Sequence, residues 1–514
     1  MVNYERTTPE SGSSALNAAR RTRELNELAH GDSVDVLVIG GGITGVGVAL
    51  DAVTRGLSVA LVDKHDLAFG TSRWSSKLAH GGLRYLASGN VGIARESAVE
   101  RGILMTKTAP HLVRAMPQLV PLLPQTSFFG KSLVRTGFLA GDVLRASART
   151  PSSVLPRSRT VSASRAQELV PGVRRENLRG ALTAYDGQLI DDARLVVNIA
   201  RTAALHGARI LTRVGAYDVS GTSATLRDEL TGTEFLLRAR TVINATGVWA
   251  DQVDSSITLR PSRGTHLVLD AKSLGNPTAA LTVPIPGETN RFVFALPAQL
   301  GRVYLGLTDE AAPGPVPDVP IASESEIDFL LETVNTALEV PLTRADILGT
   351  FAGLRPLLDT GDGSTADLSR NHAVVRSGSG LITVVGGKLT TYRRMAQDAV
   401  DCAVEAGGLN AIACRTRNLP LVGAATRAEL NKIAAPASLV ARYGTEAETV
   451  LATGDQGLDA VAGLDVCAAE LAFAVSHEGA LDVDDILDRR TRIGLVASDR
   501  ERALPAAEKA IRAV

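Results

Sequence analysis

Residues 34–45 read Val-Asp-Val-Leu-Val-Ile-Gly-Gly-Gly-Ile-Thr-Gly, and this stretch decides the fold. Val34–Ile39 is a short, mostly apolar, β-branched run, the pattern of a parallel strand buried on both faces. Glycines follow at once, at Gly40, Gly42 and Gly45. Val46, Ala49, Leu50 and Val53 then recur at helical spacing, and Gly56 closes that helix. Residues 57–62 read as a second strand ending on Asp63, which completes a βαβ unit of about thirty residues.

The spacing Gly40-x-Gly42-x-x-Gly45, set between strand and helix, carries a mechanism. Gly40 permits the tight turn, Gly42 lets the backbone approach a pyrophosphate, and Gly45 lets the helix pack on the strand. The helix N-terminus supplies free N–H groups and positive dipole for phosphates. Asp63 ends the second strand, where a carboxylate accepts hydrogen bonds from a ribose. Two later strand ends have the same character. Residues 241–245 run into Asn244-Ala245-Thr246-Gly247, and residues 381–385 run into Gly386-Gly387-Lys388, which opens a helix. No second Gly-x-Gly-x-x-Gly offers a separate NAD site. A single nucleotide fold reached from several distant segments suits a large, permanently held cofactor, FAD.

Elsewhere, residues 191–206 are helical with Gly207 as the stop, and residues 209–214, 224–228 and 234–238 are short strands. A helix spans 389–406, strand-rich sequence fills 261–307, and a Pro-rich loop covers 313–320. From about residue 420 the chain is Ala-rich and helical. The fold class is therefore α/β: a Rossmann-like FAD-binding domain (33–110, 176–252 and 350–412), an inserted α+β substrate domain (111–175 and 253–349) and a C-terminal helical domain (413–514). Residues 1–32 form a polar extension, flexible or helical, without the plan of a signal peptide.

A chain of 514 residues is too long for one core. Its net charge of −1 argues against a nucleic-acid-binding protein. Cys402, Cys414 and Cys467 make no CxxC pair and no metal-ligand spacing, and they fit a reducing, cytoplasmic compartment. No apolar run approaches the ~20 residues of a membrane-spanning helix. Charge is nonetheless uneven. Residues 111–175 hold ten Arg+Lys against two Asp+Glu, whereas residues 446–502 hold thirteen Asp+Glu against five Arg. Either the basic stretch meets an anionic partner or the two stretches pair internally.

Residues 71–86, Thr-Ser-Arg-Trp-Ser-Ser-Lys-Leu-Ala-His-Gly-Gly-Leu-Arg-Tyr-Leu, form the most specific motif. With Asp191-Asp192-Ala193-Arg194-Leu195, Asn244-Ala245-Thr246-Gly247, Gly306-Leu307-Thr308-Asp309, Gly353-Leu354-Arg355-Pro356 and Gly387-Lys388-Leu389-Thr390-Thr391-Tyr392-Arg393, the chain resembles the FAD-dependent, respiratory glycerol-3-phosphate dehydrogenases. Asp488-Arg489-Arg490-Thr491-Arg492 is similar to that family's C-terminal cap. Leu307-Thr308 departs from the expected pair of threonines, and the N-terminal extension has no counterpart in the shortest members.

The resemblance implies oxidation of sn-glycerol 3-phosphate to dihydroxyacetone phosphate, with FAD as cofactor and a membrane quinone as electron acceptor. It implies cofactor contacts from Gly40, Gly42, Ile43, Thr44, Gly45, Asp63, Lys64, Thr71, Ser72, Ser75, Ser76, Lys77, His80, Gly81, Gly82, Leu83, Val214, Ala245, Thr246, Gly247, Gly353, Arg355, Gly387, Lys388, Leu389 and Thr390. A phosphate calls for guanidinium forks, because they give paired charge-assisted hydrogen bonds. Arg84, Arg355 and Arg370 are the candidates, with Tyr85 and Lys388 beside them. The 2-hydroxyl needs a base or a cationic group within ~3 Å. His266 is favoured as base over His80, which with Arg84 would hold substrate or the flavin's polar edge, and Lys388 would stabilise the reduced anionic flavin or the ketone product. No metal site is expected.

Residues 128–139, Phe-Phe-Gly-Lys-Ser-Leu-Val-Arg-Thr-Gly-Phe-Leu, alternate apolar and basic side chains, as a segment at an anionic membrane surface does. Peripheral attachment at the inner face of the cell membrane is the expectation, against the plainer reading of a helix packed on its own domain. A homodimer through the C-terminal domain stays open. The rival functions are an oxidase of the same substrate, a flavin amine or amino-acid oxidase, and a non-catalytic flavoprotein.

Overall fold

In the computed structural model, which describes residues 12–82, 90–124, 128–288, 291–359, 372–454 and 457–513, two sheets carry the fold. The first is the nucleotide sheet. Its order is His372–Arg376, Ile382–Gly386, Glu234–Asn244, Val34–Ile39, Val59–Asp63, Arg209–Thr212. From Ile382–Gly386 to Arg209–Thr212 the pairs are parallel. Val36, Leu37 and Val38 are fully buried, which is why the central strand reads as one apolar run. Each such side chain contributes about 1.5–3 kcal/mol by leaving water.

The helix Ile43–Thr54 starts at Gly42 and buries almost every side chain, because helices cover it on both sides. A Cβ on Gly47 would lie 2.9 Å from the Tyr392 ring, so this glycine sets the approach of the helix Tyr392–Gly407. On the other flank lies the helix Asp192–Leu205, capped by the Asp191 carboxylate on the Arg194 N–H. The expected strands at 234–238 and 241–245 are one strand, Glu234–Asn244. The expected strand at 209–214 breaks at Arg213, whose φ is +57°, into Arg209–Thr212 and Val214–Tyr217.

The second sheet has ten described strands and is mixed. Its order is Glu310–Ala311, Ser262–Asp270, Arg302–Gly306, Phe292–Pro297, Ala280–Pro284, Val113–Pro121, Ala181–Leu189, Leu78–Ala79, with Ile347–Arg355 also on Ser262–Asp270 and Arg159–Val161 on Ala181–Leu189. Sorting by sheet therefore places Ala181–Leu189 and Ile347–Arg355 here, although the sequence division put residues 181–189 and 350–355 with the nucleotide domain. Backbone pairing decides this: Val113↔Leu189 and Ser262↔Arg355 are cross-strand partners far apart in sequence.

The C-terminal region is helical, as expected, with Ala468–His477 and Ala497–Arg512 around one apolar cluster. The N-terminal extension is helical over Ala18–Ala29, and Arg21 is buried against the Thr212 carbonyl and Asp228. The acidic tail finds its cations outside the basic stretch: Glu446 on Arg201, Glu478 on Arg194, Asp482 on Arg213 and Asp499 on Arg302.

Candidate functional site

One continuous cavity of about 1140 Å³ runs between the two sheets. At one end, Gly40, Gly42, Ile43, Thr44, Asp63, Lys64 and Val214 line it; Ala245, Thr246 and Gly247 follow. A Cβ at Gly40 would sit 2.6 Å from the Ala245 carbonyl oxygen, and one at Gly45 would sit 1.8 Å from the Gly40 carbonyl oxygen. Only glycines let strand, turn and helix close this tightly. Gly45 is thus a packing residue behind the cavity wall. Asp63 accepts hydrogen bonds from the Gly41 and His65 N–H groups at 2.6 and 2.7 Å. Burial pushes its carboxyl up to about 6 against those bonds.

The motif at residues 71–82 crosses to the second sheet. Asp192 anchors it, accepting from the Ser75 N–H (2.9 Å), the Ser75 hydroxyl (2.7 Å) and the Lys77 ammonium (3.0 Å). Lys77 also donates to the Arg73 carbonyl and is 2 % exposed. Its ammonium, pushed down to about 8 by burial against the pull of Asp192, lies over the Phe351 ring. Thr71, Ser72, Ser75, Ser76, His80 and Gly82 line the cavity; Lys77 and Gly81 stand behind it. Leu83, Arg84, Tyr85 and Arg370 lie outside the described residues.

Gly353, Arg355, Gly387, Lys388, Leu389 and Thr390 line the same cavity with His266. Arg355 projects from the last residue of Ile347–Arg355. One of its terminal nitrogens donates to the Ser262 hydroxyl and the Asp309 carboxylate, both at 3.1 Å, and the other donates to the Thr308 carbonyl at 3.1 Å. The fork is therefore preset, with side-chain exposure of 24 %. Thr308, the threonine kept in the Leu307-Thr308 pair, donates to the Glu326 carboxylate and accepts from the Thr265 N–H.

The two histidines differ. His266 is 1 % exposed and stacks on Phe351 with centroids 4.6 Å apart. Its Nε2 shares a 2.9 Å hydrogen bond with the Ser76 hydroxyl, and Nδ1 has no hydrogen-bond partner among the described residues. Burial, then Lys77 and Arg355, hold it well below the ordinary imidazole range, so it is neutral. His80 is 41 % exposed at its side chain, and its Nδ1 lies 3.1 Å from Asp186. The backbone N–H of His80 donates to the Thr390 hydroxyl. Asp186 and its partner Arg101 were not singled out in the sequence. Asp186 falls in Tyr185-Asp186-Gly187, where Asp-Gly reads as a turn, and only strand pairing brings it beside residue 80.

The donor set fits FAD. A ribose-facing carboxylate, a helix N-terminus walled by glycines and the Gly387-Lys388 turn lie along one cavity. A Cβ on Gly247 would enter open space there, so the glycine keeps room for a ligand.

A family model described as FAD dependent oxidoreductase matches residues 35–393. A second, described as the C-terminal domain of alpha-glycerophosphate oxidase, matches residues 414–514. Glycerol-3-phosphate dehydrogenase 1 of Mycobacterium bovis is 66 % identical over 507 residues, 97 % of this chain and 98 % of that one. The mitochondrial glycerol-3-phosphate dehydrogenase SDP6 of Arabidopsis thaliana is 35 % identical over 91 % of this chain and 80 % of its own. The structure of the glycerol-3-phosphate dehydrogenase from Bacillus halodurans complexed with FAD superposes with a TM-score of 0.71 at 26 % identity, covering 96 % of this chain and 94 % of that one. With FAD as its cofactor, the chain belongs to the FAD-dependent glycerol-3-phosphate dehydrogenase family.

Proposed function

We propose that the protein oxidises sn-glycerol 3-phosphate to dihydroxyacetone phosphate and passes the electrons to a membrane quinone. The observation that carries this reading is a preset Arg355 fork, with Lys388 and His80, in the same cavity as the nucleotide cradle. The fork and the ammonium bind the phosphate dianion and orient the carbon chain. Bound FAD supplies the two-electron acceptor for the hydride that leaves C2. The hydroxyl proton goes to His80. That role suits His80 better than His266, because the Asp186 carboxylate faces the imidazolium that forms. An imidazolium at residue 266 would be buried beside Lys77 and Arg355.

Anaerobic mixing with sn-glycerol 3-phosphate is expected to bleach the flavin absorbance, whereas glycerol leaves it unchanged. No bleaching would remove this substrate and return amines and amino acids to the test. Adding a soluble quinone or air to the bleached enzyme then separates dehydrogenase from oxidase by which restores the colour faster.

The quinone reading rests on an apolar wall of the same cavity, with Val120, Phe292 and Phe294 from the second sheet and Val134 and Phe138 from the helix Phe128–Ser147. Val134 and Phe138 pack against Val120, Leu122 and Leu182, while Leu139 and Val143 are 48 % and 68 % exposed. An outward apolar pair on a helix that also walls the cavity suits peripheral attachment. Among the described residues no helix is long and apolar enough to cross a membrane. Leu139→Asp with Val143→Asp is expected to weaken binding to phosphatidylglycerol vesicles at least tenfold, with turnover on a water-soluble acceptor retained. Unchanged vesicle binding would put the helix back as ordinary domain packing.

A further inference from the structure

We propose that Asp186, fixed by Arg101, is the positioning residue that sets the tautomer of His80 and steadies the imidazolium formed when His80 takes the substrate proton. The inference rests on the proposed oxidation and adds to it two residues from outside the family motifs.

The arrangement is built by backbone pairing. Leu78–Ala79 runs antiparallel to Ala181–Leu189 with Ala79 opposite Gly187, which brings His80 beside Asp186. A Cβ on Gly187 would come within 3.2 Å of the Ala79 carbonyl oxygen, so a small residue there keeps the strands close. Oδ2 of Asp186 lies 3.1 Å from Nδ1 of His80. Oδ1 accepts from Arg101 at 2.6 Å and from the Gly81 N–H at 3.0 Å. Arg101 reaches the carboxylate through space that a side chain at residue 81 would fill. A Cβ there would lie 2.1 Å from the Arg101 terminal nitrogen. Gly82, with φ +83°, would meet the Ala94 backbone at 2.7 Å if it carried a Cβ. The two glycines after His80 thus make room for the helix Val91–Ile103 that delivers Arg101.

The chemistry follows from which groups can donate. Burial alone would raise the Asp186 carboxyl, but Arg101 and the hydrogen bond from His80 hold it below the usual carboxylate range. An ionised carboxylate only accepts, so Nδ1 must carry the hydrogen. The neutral ring then has its lone pair on Nε2, the nitrogen left for the cavity that the ring lines. Once Nε2 has taken the hydroxyl proton, the ring is a cation held against an anion.

Asp186→Asn separates tautomer control from packing. The amide oxygen still accepts from Arg101 and Gly81, while the amide nitrogen donates to Nδ1 and moves the ring hydrogen to Nε2. The expected result in anaerobic stopped-flow is flavin reduction slowed by about 10³–10⁴-fold. FAD content and the substrate concentration for half-saturation stay within about threefold. In a His80→Gln background the same change is expected to have no further effect, since Asp186 acts through His80. Slowing that multiplies with that of His80→Gln, or a wild-type rate for Asp186→Asn, would overturn the role of Asp186 alone. A wild-type rate for His80→Gln would remove the proton acceptor, and Asp186 with it. Failure of the unaltered enzyme to bleach would instead overturn the substrate. If Asp186→Asn loses FAD, histidine labelled with nitrogen-15 in the unaltered holoenzyme decides, using His80→Gln to assign the signal. A hydrogen on Nδ1 supports the inference, and one on Nε2 overturns it.

Discussion

Arg355→Ala is expected to lower kcat/KM for sn-glycerol 3-phosphate by about 10²–10³-fold while FAD stays bound. The size follows from the ~3–4 kcal/mol that a preset, partly desolvated guanidinium contributes to a bound dianion. Arg355 is ordered before substrate arrives, because Ser262, Asp309 and the Thr308 carbonyl hold its nitrogens. Little side-chain entropy is then lost on binding. Arg355→Lys restores the charge but not the fork, so it is expected to recover only part of the loss. Steady-state kinetics of the two variants, with flavin content measured alongside, checks this. Unchanged activity in Arg355→Ala would take the residue out of the phosphate site.

The second large effect concerns stability. Asp66→Ala is expected to lower the midpoint of thermal flavin release by about 3–5 °C, from a loss of about 3–5 kcal/mol. Asp66 follows the strand Val59–Asp63 and is wholly buried. Its carboxylate accepts from Arg489 at 2.6 Å and from Arg490 at 2.7 and 2.9 Å. These three bonds tie the C-terminal region to the loop after Asp63. Arg489 keeps Asp485 at 2.5 Å, but among the described residues Arg490 keeps hydrogen bonds only to the Glu478 carbonyl and loses the carboxylate it is paired with, while still buried. Burial disfavours the Asp66 anion, yet the two arginines hold its carboxyl far below the usual range. Its stabilisation is therefore complete above about pH 4 and is lost as pH falls through the folded value. The gap between variant and unaltered protein is expected to be full at pH 7 and to shrink only under strong acid. A melting temperature at pH 7 that does not move would mean the pair is neutral to the fold.

The nucleotide half of the site was legible because its signals are local. A turn that must pass within 2.6 Å of the Ala245 carbonyl admits only glycine, and the βαβ pattern is set by neighbours in sequence. Asp63, Gly247 and Lys388 lie at strand ends that hydropathy alone marks. Arg355, the proposed phosphate ligand, was marked by its motif. What was not legible depended on pairing between distant segments. Asp186 is one acidic residue in an Asp-Gly dipeptide until Ala181–Leu189 lies against Leu78–Ala79. Arg101 is one charge on a helix until Gly81 clears its path. The preference for His266 over His80 turned on burial and neighbouring charge, which no local pattern encodes. His266 sits against Phe351 beside two cations, whereas His80 faces a carboxylate. Residue type and spacing thus determined the fold class and the cofactor, and marked the glycine turn proposed to cradle it. Which imidazole can carry a positive charge was decided only by the tertiary structure, because desolvation and Coulomb interactions depend on groups more than eighty residues away.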